Sequence, residues 1–202
     1  RALMNPTVYS HHVARISKSM LRRGTERLLE SSEIDARRLR RMDDHELSVA
    51  LRTHDQSSEF GRRLADRSLY KRAVWAEMGD VDDALIDADH DAVRDFEGEI
   101  AADAGVAEDG VILDVPGKPS MRESTTGVVV NGEVRRLDEQ STLVNALQVA
   151  QREQWRLGVY APADHVEAVG KAAESVLGLE TEGALISEVS APGRYTSLTD
   201  FE

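Results

Sequence analysis

The dipeptide Asn131-Gly132 constrains the fold of this chain more than any other pair of residues. It lies between TGVVV (126–130) and EVRRL (133–137), two short runs that read as strands. Asn-Gly readily adopts the two positive φ angles of a type I′ turn, so the flanking runs are expected to pair as an antiparallel hairpin.

Other segments arrange themselves around that hairpin. LYKRAVWAE (69–77) reads as a strand, much of 82–104 as a helix, and VILDVP (111–116) as a strand ended by a proline. After the hairpin come a helix over 141–153, a strand in WRLGVYA (155–161) and a helix over 162–177. We read the order as strand, helix, strand, strand, helix, strand, which is the ferredoxin-like βαββαβ arrangement with an extra C-terminal helix, over 68–177. Residues 1–67 read as helical. Tyr9, Val13, Ile16 and Met20 recur at spacings of four, three and four, which predicts an apolar face on a helix over 5–30. Asp43 with Glu46 predicts a capping box opening a helix through Leu51, and a second short helix is expected from Ser57 to Asp66. Residues 178–202, rich in Gly, Ser and Thr, read as a flexible tail. The fold class expected is α+β.

Charge and composition exclude several functions. The net charge is -12, which repels nucleic-acid phosphates and argues against general DNA or RNA binding. With no cysteine, disulfides and thiolate chemistry are excluded. No apolar run reaches the roughly 18 residues that a membrane span needs, and the N-terminus does not read as a signal peptide, so a cytoplasmic protein is expected. The chain lacks an initiator Met, which suggests a piece of something longer. Its lysines are only Lys18, Lys71, Lys118 and Lys171. That bias suits either a high-salt cytoplasm or a GC-rich genome.

The sequence offers few candidates for chemistry. Adjacent helix residues point about 100° apart, so His11 and His12 are not expected to grip one metal. His11, Arg15, Lys18 and Arg22 share the face opposite the apolar stripe, a ridge of bases suited to an anionic ligand or acidic partner, unless each base pairs with a carboxylate. His54-Asp55 and His90-Asp91 read as solvated surface, as does DADHDA (87–92), which lacks the glycine of a calcium loop. No phosphate loop, nucleophile elbow or HExxH is present.

Several stretches taken together are similar to a known family. MNPTVYSHHVARISKSML resembles the helix that follows the metal centre in HD-domain phosphohydrolases, which include deoxynucleoside triphosphate triphosphohydrolases. RSLYKRAVWAE resembles their "R-x-L-Y-K" stretch, and DVPGKPSMRES, GEVRRLDEQSTLVNAL and QWRLGVYAP resemble the C-terminal region of a bacterial and archaeal branch. The resemblance implies that the N-terminal helices are the end of an HD-type helical domain. It implies hydrolysis of a phosphate ester by metal-activated water, with a divalent metal (Mn, Mg, Fe, Co or Ni) in the full-length enzyme. The ligands, a His, a His-Asp pair and a later Asp, would lie upstream, so this chain alone would be inactive and bind no metal. It further implies that Arg1 contacts a triphosphate and that Tyr9 lies against a deoxyribose. Ser10, in place of a larger glutamine, would face the substrate. His11, His12, Arg67 and Lys71 would contact a regulatory nucleotide between subunits of a homo-oligomer, with His12 standing where relatives have lysine. The competing expectation is a non-catalytic nucleotide-binding or oligomerisation module.

Overall fold

The apolar spacing near the N-terminus produces helix α1 (His12–Glu30) in a computed structural model that describes residues 11–32, 34–119 and 126–179. Arg1, Tyr9, Ser10 and the tail beyond residue 179 lie outside the described residues. Ile16, Met20 and Leu28 on the α1 stripe are buried, whereas Val13, expected on the same face, is 45% exposed. Three short helices follow: α2 (Ala36–Leu39), α3 (Asp44–Thr53) and α4 (Ser58–Ala65). The expected capping box forms at α3. The Glu46 amide donates to Asp43 Oδ1 at 2.8 Å, and the Asp43 amide donates to Glu46 Oε2 at 3.1 Å. α4 closes tightly on α3 because Gly61 has no side chain: a Cβ there would stand 2.6 Å from the Leu51 backbone.

The main sheet holds three strands, β1 (Lys71–Glu77), β2 (Ile112–Asp114) and β5 (Arg156–Ala161), in the order β1-β5-β2. β5 is antiparallel to both neighbours. β1 and β2 therefore run parallel with a strand inserted between them. The connection passes through α5 (Asp83–Ile86) and α6 (His90–Ala104). The sequence predicts one helix over 82–104. Two form because Asp82 and Asp89 each act as an N-cap, accepting from the amides of Ala84 at 2.7 Å and Ala92 at 2.9 Å. Asp89 thus gives the DADHDA stretch a structural role.

The side chains of the sheet alternate between two cores. Val74, Leu113, Leu157 and Val159 pack with Ile100 of α6 and Val169 of α9 (Val166–Leu177). Ile112 and Tyr160 point the other way and pack with Tyr70, Ile16, Met20 and Phe60. This second core joins the helical part to the sheet, across the boundary read at residues 67 and 68. A third cluster, Leu28, Ile34, Ala50 and Leu51, holds the short helices on the end of α1.

The described strands do not form the four-stranded ferredoxin-like sheet expected from their order. The hairpin does form, as β3 (Gly127–Val130) and β4 (Glu133–Arg136), but its strands pair only with each other. Its turn has φ of 53° at Asn131 and 85° at Gly132, as a type I′ turn requires. β4 reads EVRR, so it lacks the apolar run that a covered sheet needs. α7 (Leu137–Gln140) and α8 (Thr142–Glu153) complete this arm. None of residues 126–147 or 149–154 is buried. Among the described residues, no helix is long and apolar enough to cross a membrane.

Candidate functional surface along the first helix

α1 runs antiparallel to β1: Met20 sulfur accepts from the Tyr70 amide at 3.3 Å, while the Arg15 guanidinium sits 4.7 Å from the centroid of the Trp75 ring. This direction places charged side chains of α1 against the sheet. Arg15 Nε donates to Asp114 Oδ2 at 2.8 Å, and Arg15 Nη1 donates to the Arg156 carbonyl at 2.8 Å. Tyr160 hydroxyl donates to the same Asp114 oxygen at 3.0 Å. Gly158 makes room for that ring, since a Cβ there would lie 2.5 Å from the Tyr160 hydroxyl. Burial, reinforced by Asp114, holds the Tyr160 hydroxyl well above the ordinary phenol range.

Two turns further along, Arg23 pairs with Glu97 of α6, both almost fully buried. Glu97 Oε1 also accepts from the Leu113 amide at 2.7 Å, and Glu97 Oε2 accepts from Arg94 at 2.9 Å. Burial raises the Glu97 carboxyl above its usual range, while Arg23, the Leu113 amide and Arg94 pull it down. Next to this pair, Arg27 Nη2 donates to Asp109 Oδ1 at 2.7 Å, and Asp109 holds the Arg27 guanidinium above its ordinary pKa. Tyr70 hydroxyl donates to the Asp109 carbonyl at 2.9 Å, and burial, aided by Glu59, pushes its pKa up to about 12.

These contacts revise the ridge of bases. Arg15 belongs to an internal ion pair, so only His11, Lys18 and Arg22 of the four are exposed. The bland alternative, pairing with a carboxylate, is the correct one for Arg15. Sequence reasoning did not single out Arg23, Glu97, Asp109 or Asp114. Two of these carry a signal that would have found them: Arg23 falls on the same face as Ile16 and Met20, and Glu97 falls on the stripe of Val93, Ile100 and Ala101. A charge in an apolar stripe on two helices marks a buried pair. Asp114 and Glu97 are both engaged by guanidiniums, so neither stands free as a general base.

The histidine pair also differs from expectation. The rings of His11 and His12 lie with centroids 4.4 Å apart. The 100° separation does not apply, because His11 is the extended N-cap residue, with ψ of 134°, and only His12 is helical. Even so, among the described residues no group of three or more His, Asp or Glu side chains fits a metal. His90 lies exposed at the start of α6, 3.9 Å from Glu26. Arg67 and Lys71 are exposed, and Arg67 adopts φ of 55° where α4 ends. The antiparallel course of α1 puts His11 and His12 beyond the Trp75 end of β1, and Arg67 and Lys71 at the Tyr70 end. One chain therefore does not bring the four together.

Part of the apolar surface of α1 remains open. Leu21 is 40% exposed and Val13 is 45% exposed. A groove of ≈ 590 Å³ between α1, α3 and α4 is lined by Leu21, Leu51 and Leu64 together with Lys18 and Arg52. A second groove, of ≈ 490 Å³, opens along α2 and α3.

Comparison with known proteins agrees with the resemblance at the level of the family. The uncharacterized protein MJ1154 of Methanocaldococcus jannaschii is 25% identical over 171 residues, which cover 83% of this chain and 37% of that protein. The chain thus spans well under half the length of this relative. A family model described as the HD associated region matches residues 1–188. With nearly the whole sequence matched, the chain belongs to the HD associated region family.

Proposed function

We propose that this chain is the C-terminal part of an HD-type phosphohydrolase that acts on deoxynucleoside triphosphates. It supplies a wall of the substrate pocket and a surface for assembly and regulation. The observation that carries this reading is the divided use of α1. Ile16, Met20, Arg15 and Arg23 lock it to the sheet, while Val13, on the same stripe but nearer the N-terminal end, and Leu21, beside that stripe, are exposed. A helix that is fixed along its middle and leaves apolar side chains open at its N-terminal end and along one edge fits a packing element for a further helical layer. Arg1, Tyr9 and Ser10, which precede this helix in sequence, would contact substrate. The hydrolytic centre would be built from ligands outside the described residues. His11, His12, Arg67 and Lys71 would hold a regulatory nucleotide between two subunits, as their placement at opposite ends of β1 allows.

The test uses the natural protein in its full reading frame, supplied with Mn or Mg. It should release phosphate from deoxynucleoside triphosphates. Tyr9→Ala should lower turnover by about tenfold or more with little change in melting temperature. Absence of hydrolysis of any of the four nucleotides would overturn the enzyme reading. One observation favours the second reading, an oligomerisation module without catalysis: the arm over 126–154 exposes Val129, Val134, Leu143 and Val149.

A further inference from the structure

The groove along α2 and α3 concentrates positive charge in a chain whose net charge is -12. The run ARRLRR places arginines at 37, 38, 40 and 41. The fold sorts them. Arg38 and Arg41 line the groove, together with His45 and His54, whereas Arg37 and Arg40 do not. Arg40 instead turns back to donate to the Ala36 carbonyl at 3.3 Å. Positions 38, 41 and 45 are three and four residues apart, and the turn between α2 and α3 keeps all three on the groove: the Arg41 amide donates to the Arg38 carbonyl at 3.0 Å. Among the described residues, neither Arg38 nor Arg41 has a carboxylate within ion-pair distance. The nearby acids are committed elsewhere. Asp35 accepts from the Arg38 amide at 2.7 Å, and Asp43 and Glu46 close the capping box of α3. Glu46 also lines the groove, so one carboxylate faces two guanidiniums.

The floor has a different character. Ile34 and Ala50 are buried there, with Met42 half-buried and Val49 partly exposed. A volume of ≈ 490 Å³ falls in the range of small-molecule sites and is short for an extended peptide. Two guanidinium forks match phosphate oxygens in pairs, which one ammonium cannot do. We infer that this groove is a binding site for a small molecule that carries two or more phosphate charges and an apolar or planar body. Arg67 and Lys71 are not among its lining residues. It does not depend on the hydrolytic reading, because its test reads binding.

The test is calorimetric titration of the full chain with dATP, inorganic tripolyphosphate and deoxyadenosine, with and without paired substitutions. All four arginines are exposed, so the variants should keep the parent's melting temperature. We expect dATP to bind more tightly than tripolyphosphate, and deoxyadenosine to bind far more weakly than either. Arg38→Ala with Arg41→Ala should weaken dATP by about tenfold or more, while Arg37→Ala with Arg40→Ala should change it by less than about twofold. Equal weakening by the two pairs would reduce the effect to general attraction of anions and overturn the site. So would unchanged dATP binding in the first pair, or no binding of dATP by the parent chain. A loss of hydrolysis with dATP binding at this groove intact would count against the enzyme reading alone.

Discussion

The seam between α1 and the sheet and the arm over 126–154 occupy the same chain under opposite rules. In the seam, charged side chains are buried or half-buried and each has a charged partner: Arg23 has Glu97, Arg15 has Asp114 and Arg27 has Asp109. In the arm, apolar side chains stand in solvent, with Val129 and Val134 74% and 75% exposed and directly opposite each other. The seam shows that a buried charge fixes how two elements meet, because few arrangements satisfy it. The arm shows that regular secondary structure can form where little is covered, when turn and cap residues specify it locally.

The contrast is sharpest at Glu97. Glu97→Ala leaves Arg23 buried without its partner and should cost about 3–5 kcal/mol in urea unfolding. A loss below about 1 kcal/mol would mean that the seam is no better sealed than the arm. Next in size is an alkaline effect. The Tyr70 pKa is raised to about 12, so between its unfolded value near 10 and that point the unfolded chain loses its proton first. Stability should therefore fall as pH rises through this window, by at most roughly 3 kcal/mol. Tyr70→Phe should lessen this fall and leave the share that comes from Tyr160, and identical alkaline profiles for the two proteins would contradict it.

A smaller change tests the junction between α4 and β1. Arg67 holds a left-handed conformation that favours glycine. Arg67→Gly should stabilise the fold by up to about 1 kcal/mol, measured as a rise in melting temperature. If Arg67 also holds a nucleotide, the same variant should lose nucleotide-induced stabilisation. The smallest effect belongs to the arm: Val129→Thr with Val134→Thr should change stability by less than about 0.5 kcal/mol. A larger loss that grows with protein concentration would show that another copy covers these valines.

Much of the fold was legible because it is written in local chemistry. The Asn131-Gly132 hairpin, the Asp43–Glu46 box and the spacing of Ile16 and Met20 each depend on neighbours within a few residues. The partnership of strands does not. That β5 lies between β1 and β2, and that the hairpin stays outside their sheet, is decided by packing between distant segments. The division of 82–104 was within reach, since Asp82 and Asp89 are both cap residues. The site was less legible for the same reason. Arg15 looked like part of a ridge because Asp114, its partner, lies 99 residues away. Arg38 and Arg41 differ from Arg37 and Arg40 only through the turn that joins two short helices.

The sealing of Arg23 and Glu97 has a consequence for the medium in which the protein works. Their side chains are 4% and 2% exposed, so dissolved ions have almost no access to the pair. The outer charges of the chain are open to the solvent, and their mutual repulsion fades as salt shortens the Debye length from about 10 Å at 0.1 M to about 3 Å at 1 M. Raising salt thus relieves the strain of an acidic exterior without loosening what fastens α1. The same fastening holds from dilute buffer to brine.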